Sequence, residues 1–390
     1  MQPPLRYIET VDALADLSRE LATEPSVALD TEFVWDRTYH PQLGLVQIAT
    51  ASGMTALVDT VAVPDLSPLG PLLASPDCVK ILHDAQQDLV ILRRATGAFP
   101  RGIFDTRLAA GFAGRSAEQS LQALLQTVLD IDLPKGLARS DWRHRPLAPE
   151  LLAYAQGDVL HLHRLRDALL READALGNSA RLAEELDGLE APGLYTDPKP
   201  RRQYERVRGT ARLDPTGLAI LRELTAWRER RAREADRPRR WILPDNALIE
   251  LAARPPDSES ALARCKHLPA RTRQREGGTL LACVRKGLAV PPARRPSPAP
   301  STRPRPEDRE RVEACFHALQ ARARTLRIDP FLVTTRAELT RHLAGEPGAH
   351  DGRLALGWRR DLFASVRNDD PEMSHRSGNA PPPATSDAPA

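Results

Sequence analysis

The chain has 390 residues, 41% of them hydrophobic, which is enough for two or three domains with separate cores. Its net charge of +3 conceals an asymmetry: residues 1–195 carry 17 Lys+Arg against 27 Asp+Glu, a net of −10, whereas residues 196–390 carry 38 against 25, a net of +13. No leader or apolar stretch of roughly 18 residues points to secretion or a membrane span, and four irregularly spaced cysteines suit neither a disulfide framework nor a zinc site, so a soluble, cytoplasmic protein with reduced core thiols is expected.

Residues 1 to about 190 read as mixed α/β. A helix is predicted over Val11 to Ala22, and β-type runs at Val27 to Phe33, Leu43 to Ala49, Thr55 to Asp59 and Val79 to His83 lie close enough together for a hairpin-connected sheet. Helical periodicity then covers Ala85 to Ala95, Leu121 to Leu129 and a long helix from Pro149 to about Ala175. Gly193 to Arg201 reads as a linker. Beyond Leu213 the pattern is helical only, with Leu218, Leu221, Leu224 and Trp227 on one stripe and Asp245 as the expected N-cap of a second helix. Residues 290–306 are rich in Pro and Arg and are expected to be extended. A further helical unit follows from Glu307 to about Ala364, and the last twenty residues read as disordered. The divisions are therefore 1–195, 210–290, a linker at 291–306, 307–366, and a tail at 367–390.

Asp30 and Glu32 stand out in the first strand. Residues i and i+2 of a strand share a face, so two like charges project side by side. A divalent cation between oxygen ligands relieves that repulsion, and oxygen-only donors favour magnesium or manganese; a turn-capping Asp and a solvated Glu are the plain alternative. Two later segments add carboxylates. "CVKILHDAQQDLVIL" runs from a strand into a helix and sets Asp88 in the first turn, an ordinary place for Asp. "ELLAYAQGDVLHLHRL" places Tyr154 and Asp158 four apart, on one face of a helix that is otherwise apolar. His161 and His163 nearby are more simply satisfied histidines than ligands.

D-x-E at Asp30 and Glu32, Asp88 after "HDAQQ", and Y-x-x-x-D at Tyr154 and Asp158 resemble the tyrosine subclass of the DEDD exonuclease superfamily. Within it the chain is similar to the ribonuclease D family, through "KGLARSDWRHRPL" at residues 135–147 and through paired C-terminal helical units. The likeness spans residues 5 to about 365. It implies an α/β, ribonuclease H-like mixed sheet flanked by helices, followed by two small all-α bundles of the HRDC type. It also implies a 3′-5′ exoribonuclease using two Mg²⁺ or Mn²⁺ ions roughly 4 Å apart. In that scheme Asp30 bridges both ions, Glu32 and Asp158 complete one shell, Asp88 serves the other, and Tyr154 orients or deprotonates the attacking water. The product is a 5′-mononucleotide, and the family's partner is RNA with a 3′ single-stranded extension, tRNA precursors above all.

Candidate substrate contacts are Arg37, Gln47, Lys135, Arg143 and Arg145, any of whose polar groups suits a phosphate, and Trp142, which either stacks on a base or packs internally. Arg237, Arg239 and Arg240 beside Trp241 form a candidate basic patch. Only five of the 55 basic residues are lysine, a bias that GC-rich coding also produces, so a merely solvated basic face is the competing reading. Asp84 departs from the family pattern by adding an acid next to His83, and is expected to point to solvent. The alternatives are a DNA 3′-5′ exonuclease with the same carboxylates, or a non-catalytic RNA-binding protein; no G-x-x-x-x-G-K-[ST] loop is present to drive a helicase. Deleting residues 210–390 is expected to weaken RNA binding and spare the metal site. Oligomeric state is left open.

Overall fold

A computed structural model describes residues 5–134, 136–137, 140–197, 199–297, 306–345 and 352–369. Lys135, half of the expected Pro/Arg-rich linker and nearly all of the expected tail lie outside the described residues.

Six strands make one mixed sheet: β1 (Leu5–Ile8), β2 (Ser26–Val34), β3 (Gln42–Thr50), β4 (Thr55–Asp59), β5 (Val79–Leu82) and β6 (Ile103–Asp105), in the order β1-β4-β3-β2-β5-β6. β2, β3 and β4 form the antiparallel meander that their close spacing predicts. β1 adds parallel to β4, β5 parallel to β2, and β6 parallel to β5. The edge strands β1 and β6 escape a periodicity reading, since four and three residues are too few to show alternation.

Alternation along the strands divides the core. Val27, Leu29, Val46, Ile48 and Val58 share a cluster with α1 (Val11–Leu21), α2 (Gly70–Ala74) and α3 (Gln86–Thr96). Ala28, Ala49, Ile81 and Phe104 cluster instead with α4 (Thr106–Phe112), α5 (Leu121–Leu129), α7 (Leu162–Ala175) and α8 (Ser179–Asp187). Leu45 and Leu57 meet Tyr154 and Ala155 of α6 (Pro149–Leu160). The single long helix expected from Pro149 to Ala175 is thus two. His161 adopts φ −105°, ψ −1° and its N–H turns to the Val159 carbonyl, so the helical hydrogen-bond ladder stops. The break lets α6 and α7 serve different clusters. Around residues 193–201, expected to be a linker, short 3₁₀ turns form at Pro192–Leu194 and Pro200–Arg206, and Tyr195 is buried with its hydroxyl donating to the Leu189 carbonyl.

The C-terminal half is helical among the described residues. α9 (Pro215–Glu234), α10 (Arg239–Ile242), α11 (Asp245–Ala253), α12 (Glu259–Ala263) and α13 (Ala270–Leu288) surround Leu221, Leu224, Trp227, Leu248, Leu280 and Val284. Asp214 caps α9, accepting from Gly217 N at 2.7 Å. Asp245 is not the cap expected of it: it is the first residue of α11, and its carboxylate receives Arg228 Nη1 at 2.6 Å. At Gly287 a Cβ would lie 2.4 Å from Ile220 Cα, so glycine permits the close crossing of α13 on α9. No described helix is long and apolar enough to cross a membrane.

α14 (Pro306–Thr325), α15 (Arg336–Leu343) and α16 (Gly357–Asp369) do not stand apart from the sheet domain. Cys315, Phe316, Leu319, Leu332 and Trp358 belong to the same buried cluster as Phe112, Leu124, Leu165 and Leu169. Phe112 and Trp358 meet edge to face at 5.4 Å, Asn178 Nδ2 bridges the carbonyls of Phe112 and Leu326, and Asp329 accepts from Ala117 N at 2.6 Å. Glu185, nearly buried, receives Arg359 Nη2 at 2.8 Å. Deleting residues 210–390, expected to spare the metal site, would therefore also remove part of the core that packs on α4, α5 and α7. Replacing the fully buried Leu319 by Ala should cost about 2–5 kcal/mol. Hydrogen exchange will check it: protection should fall in α4, α5 and α7 as well as in α14, whereas loss confined to α14–α16 would mean separate cores.

Candidate active site

Asp30 lies mid-strand in β2, directly opposite Gln47 of β3, with Glu32 two residues on and opposite Leu45. Asp158 comes from α6, whose Tyr154 and Ala155 pack on Leu45 and Leu57 beneath the same sheet face. One carboxylate oxygen from each of Asp30, Glu32 and Asp158 lies within 4.8 Å of the other two. Glu32 and Asp158 are buried, and Asp30 retains part of its exposure.

Asp88 arrives from the other side. α3 packs on the opposite face of the sheet through Leu89 and Leu92, and Asp88, in its first turn, accepts a hydrogen bond from the Thr31 hydroxyl. Thr31 occupies the x of D-x-E, so alternation turns it toward α3. Asp105 secures the turn before α3: it accepts from Asp84 N (3.1 Å) and Ala85 N (2.9 Å) while capping α4. Sequence reasoning missed both Thr31 and Asp105; alternation across D-x-E was the available signal for Thr31, and Asp105 offered none.

The electrostatics of the group are one-sided. Burial pushes the Asp30 carboxyl well above its ordinary value, and Asp88, Asp158 and Glu32 push it further. Burial, then Asp158 and Asp88, raise Glu32 to about 9. Burial raises Asp158 to about 7 against the opposing hydrogen bond from Tyr154, and raises Asp88 to about 7 against the bond from Thr31. Tyr154 is itself held well above its usual range, by burial and then by Asp158. No cationic side chain is among the causes of the shifts at Asp30, Glu32 and Asp158. A buried, oxygen-only, uncompensated donor set fits a hard divalent cation. The histidines do not join it. His163 Nε2 lies 3.3 Å from the Ser26 carbonyl, and His161 forms the helix break.

A 3′-5′ exonuclease family model matches residues 5–174, and an HRDC domain model matches residues 217–284. Ribonuclease D of Desulfotalea psychrophila is 35% identical over 91% of this chain and 96% of its own length, and that of Pseudomonas paraeruginosa is 36% identical over 93% and 96%. The chain belongs to the ribonuclease D family. The crystal structure of Escherichia coli RNase D, an exoribonuclease involved in structured RNA processing, superposes with a TM-score of 0.85 at 29% identity, covering 94% of this chain and 99% of that one. Ribonuclease D membership makes the protein a metal-dependent 3′-5′ exoribonuclease with the mixed sheet and helical C-terminal part expected of the family.

Several residues nominated for substrate contact in this ribonuclease D chain are engaged elsewhere. Trp142 is fully buried against Leu45, Leu57 and Tyr154, so its ring cannot receive a base; Gly44 lets it in, since a Cβ there would lie 2.5 Å from the Trp142 carbonyl. Arg145 is spent on Asp59, which it grips through Nη2 at 2.6 Å, and on the Gly44 carbonyl at 2.7 Å. Burial opposes ionisation of Asp59, but Arg145 and Tyr7 hold it down at about 2. The 140–147 segment therefore fastens α6 to the sheet. Gln47 is fully buried with neither amide atom hydrogen-bonded among the described residues, out of reach of a phosphate in solvent. Arg143 holds Asp141 and Gln42. Arg239 chelates Glu229 through Nε (2.6 Å) and Nη2 (2.8 Å). Arg37 and Arg240 stay exposed, as do Arg237 and Trp241. Asp84 is largely exposed, as expected, but paired with Arg107 at 2.6 Å.

The charge crowding makes a pH prediction. Unfolded carboxyls ionise at their ordinary values near 4, whereas folded Glu32 does so at about 9 and Asp88 and Asp158 at about 7. Between those limits the folded state holds more protons, so metal-free stability declines as pH rises. In EDTA, Glu32→Gln should melt above the wild type by a margin that widens from about pH 5 to 8, and added Mg²⁺ or Mn²⁺ should stabilise the wild type more than the variant. A constant margin, or no response to either cation, would contradict the crowding.

Proposed function

We propose that this exoribonuclease trims RNA carrying a single-stranded 3′ extension, tRNA precursors above all, one nucleotide at a time, releasing 5′-mononucleotides. The observation that carries the chemistry is the convergence of Asp30, Glu32 and Asp158 within 4.8 Å of one another. In this reading Asp30, Glu32, Asp88 and Asp158 would hold two Mg²⁺ or Mn²⁺ ions, with Asp30 as a ligand shared between them. Bound there, such ions supply a nucleophilic water and charge stabilisation at the phosphorus.

The chain's own groups do the rest. In the metal-free site burial and then Asp158 hold the Tyr154 proton. On this reading Tyr154 orients or deprotonates the attacking water. Thr31 fixes the Asp88 rotamer through its hydroxyl. Water oxygen attacks phosphorus and gives up a proton to solvent, the bond from phosphorus to the 3′ oxygen of the penultimate nucleotide breaks, and that oxygen takes up a proton from solvent, leaving the phosphate on the released nucleotide. Support for a structured RNA substrate comes from the family and from the description of the E. coli relative. The exposed Arg237 and Arg240 beside Trp241, on the unit matched by the HRDC model, suit RNA backbone contacts made outside the catalytic cleft.

The test is turnover on matched RNA and DNA 3′ extensions. Wild type with Mg²⁺ or Mn²⁺ should release mononucleotides from RNA, Asp30→Ala should abolish release, and Tyr154→Phe should lower kcat by about a hundredfold or more. Equal turnover by Asp30→Ala would refute the assignment, and preference for DNA would replace the substrate class.

A further inference from the structure

β2 ends at Val34, and the next residue, Trp35, leaves 53% of its surface in water. It is the largest side chain on the wall of a cleft of about 290 Å³, near the lower bound of ligand pockets. Leu43, Val90 and Ile91 give the cleft apolar walls, and Gln87 and Arg94 add polar groups. One of its elements, α3, also carries a site carboxylate, and Trp35 directly follows the strand that carries Glu32. Trp35 follows Glu32 by three residues, roughly 10 Å of extended chain, and Gln87 precedes Asp88 on α3. The cleft is therefore adjacent along the chain to Glu32 and Asp88, although neither carboxylate lines it.

Its shape is set from outside the sheet domain. Tyr39, in the loop that begins at Trp35, is buried under the helical unit. Its ring lies 4.6 Å from the Arg239 guanidinium and 5.4 Å from that of Arg233. Its hydroxyl accepts from Arg233 Nε at 2.8 Å and Arg239 Nη2 at 3.0 Å and donates to the buried Glu229 carboxylate. Its backbone N–H donates to Asp236 Oδ1 at 3.1 Å, 197 residues away in sequence. A loop clamped on so many sides presents Trp35 without an ordering cost at binding.

We propose that this cleft is a subsite for one unpaired nucleobase of the RNA strand being degraded, stacked on Trp35, with Tyr39 as the positioning residue that holds the loop in register with β2. The proposal rests on the exoribonuclease reading above and extends it to a base outside the metal-binding carboxylates. A flat aromatic ring beside an apolar wall receives any base through its π face, which suits an enzyme that must accept every sequence. Arg37, 74% exposed and paired among the described residues with the also exposed Asp36 at 3.4 Å, stands two residues away to meet the adjoining phosphate.

Single-stranded RNA with a 5′ fluorophore, bound to the full chain in EDTA, tests this without turnover. Trp35→Ala should weaken binding about fivefold or more, the fold-change at the lower end of one base–aromatic stack, and Trp35→Phe should restore most of it. A single abasic nucleotide walked inward from the 3′ end should weaken wild type at one position, and at that position should have no further effect on Trp35→Ala. With metal, Trp35→Ala should raise KM and leave kcat within about twofold, while Tyr39→Phe, which loses the hydroxyl contacts, should shift the abasic-sensitive position or blunt it. Equal binding by wild type and Trp35→Ala, or abasic penalties identical in both at every position, would overturn the subsite while the exoribonuclease reading stands. Failure of wild type to bind or cleave RNA would overturn that reading, and the subsite with it.

Discussion

Mutual repulsion among buried carboxylates is the constraint on which the rest of the structure turns. Asp30, Glu32 and Asp158 are held within 4.8 Å of one another over the middle of β2, where burial is high and no cationic side chain among the described residues figures in their charge balance. Such an arrangement is destabilising by itself, because each charge is both desolvated and opposed by its neighbours. It persists because elements on both faces of the sheet hold it: α6 from one side, locked down by Trp142 and Arg145, and α3 from the other, anchored through Asp105 and Thr31.

The surrounding architecture spreads that support through most of the chain. The last three helices extend the core beneath α4, α5 and α7, and α9 with α10 clamp the loop that leaves β2. Neither C-terminal part is a passive appendage. A cost borne within β2 is offset by burial dozens of residues away, the usual way a strained site is kept in a stable fold.

Much of the site was legible because its periodicities are local. Two carboxylates at i and i+2 share a strand face, and Tyr154 and Asp158 at i and i+4 share a helix face, whatever the tertiary structure. The central meander was legible for the same reason. What could not be read depends on contacts distant in sequence. Trp142 and Arg145 have the composition of an RNA-contacting segment, and only the packing of Leu57 and the charge of Asp59 turn them inward. Arg239 looks like a member of a basic patch until Glu229 and Tyr39 take it. The long helix expected through Pro149 to Ala175 has no proline or glycine at its break, so nothing local marks His161 as the place where the ladder stops. Trp35 was passed over because exposure, the property that distinguishes it, is not written in sequence.

The central claim is that these oxygens form a cation site, and anomalous diffraction from crystals soaked in Mn²⁺ tests it most directly. Manganese peaks bounded by the carboxylates of Asp30, Glu32 and Asp158, absent from Asp30→Asn crystals grown the same way, are the result this account requires. Manganese seated elsewhere, or a wild-type map with no peak among these three side chains, would contradict it.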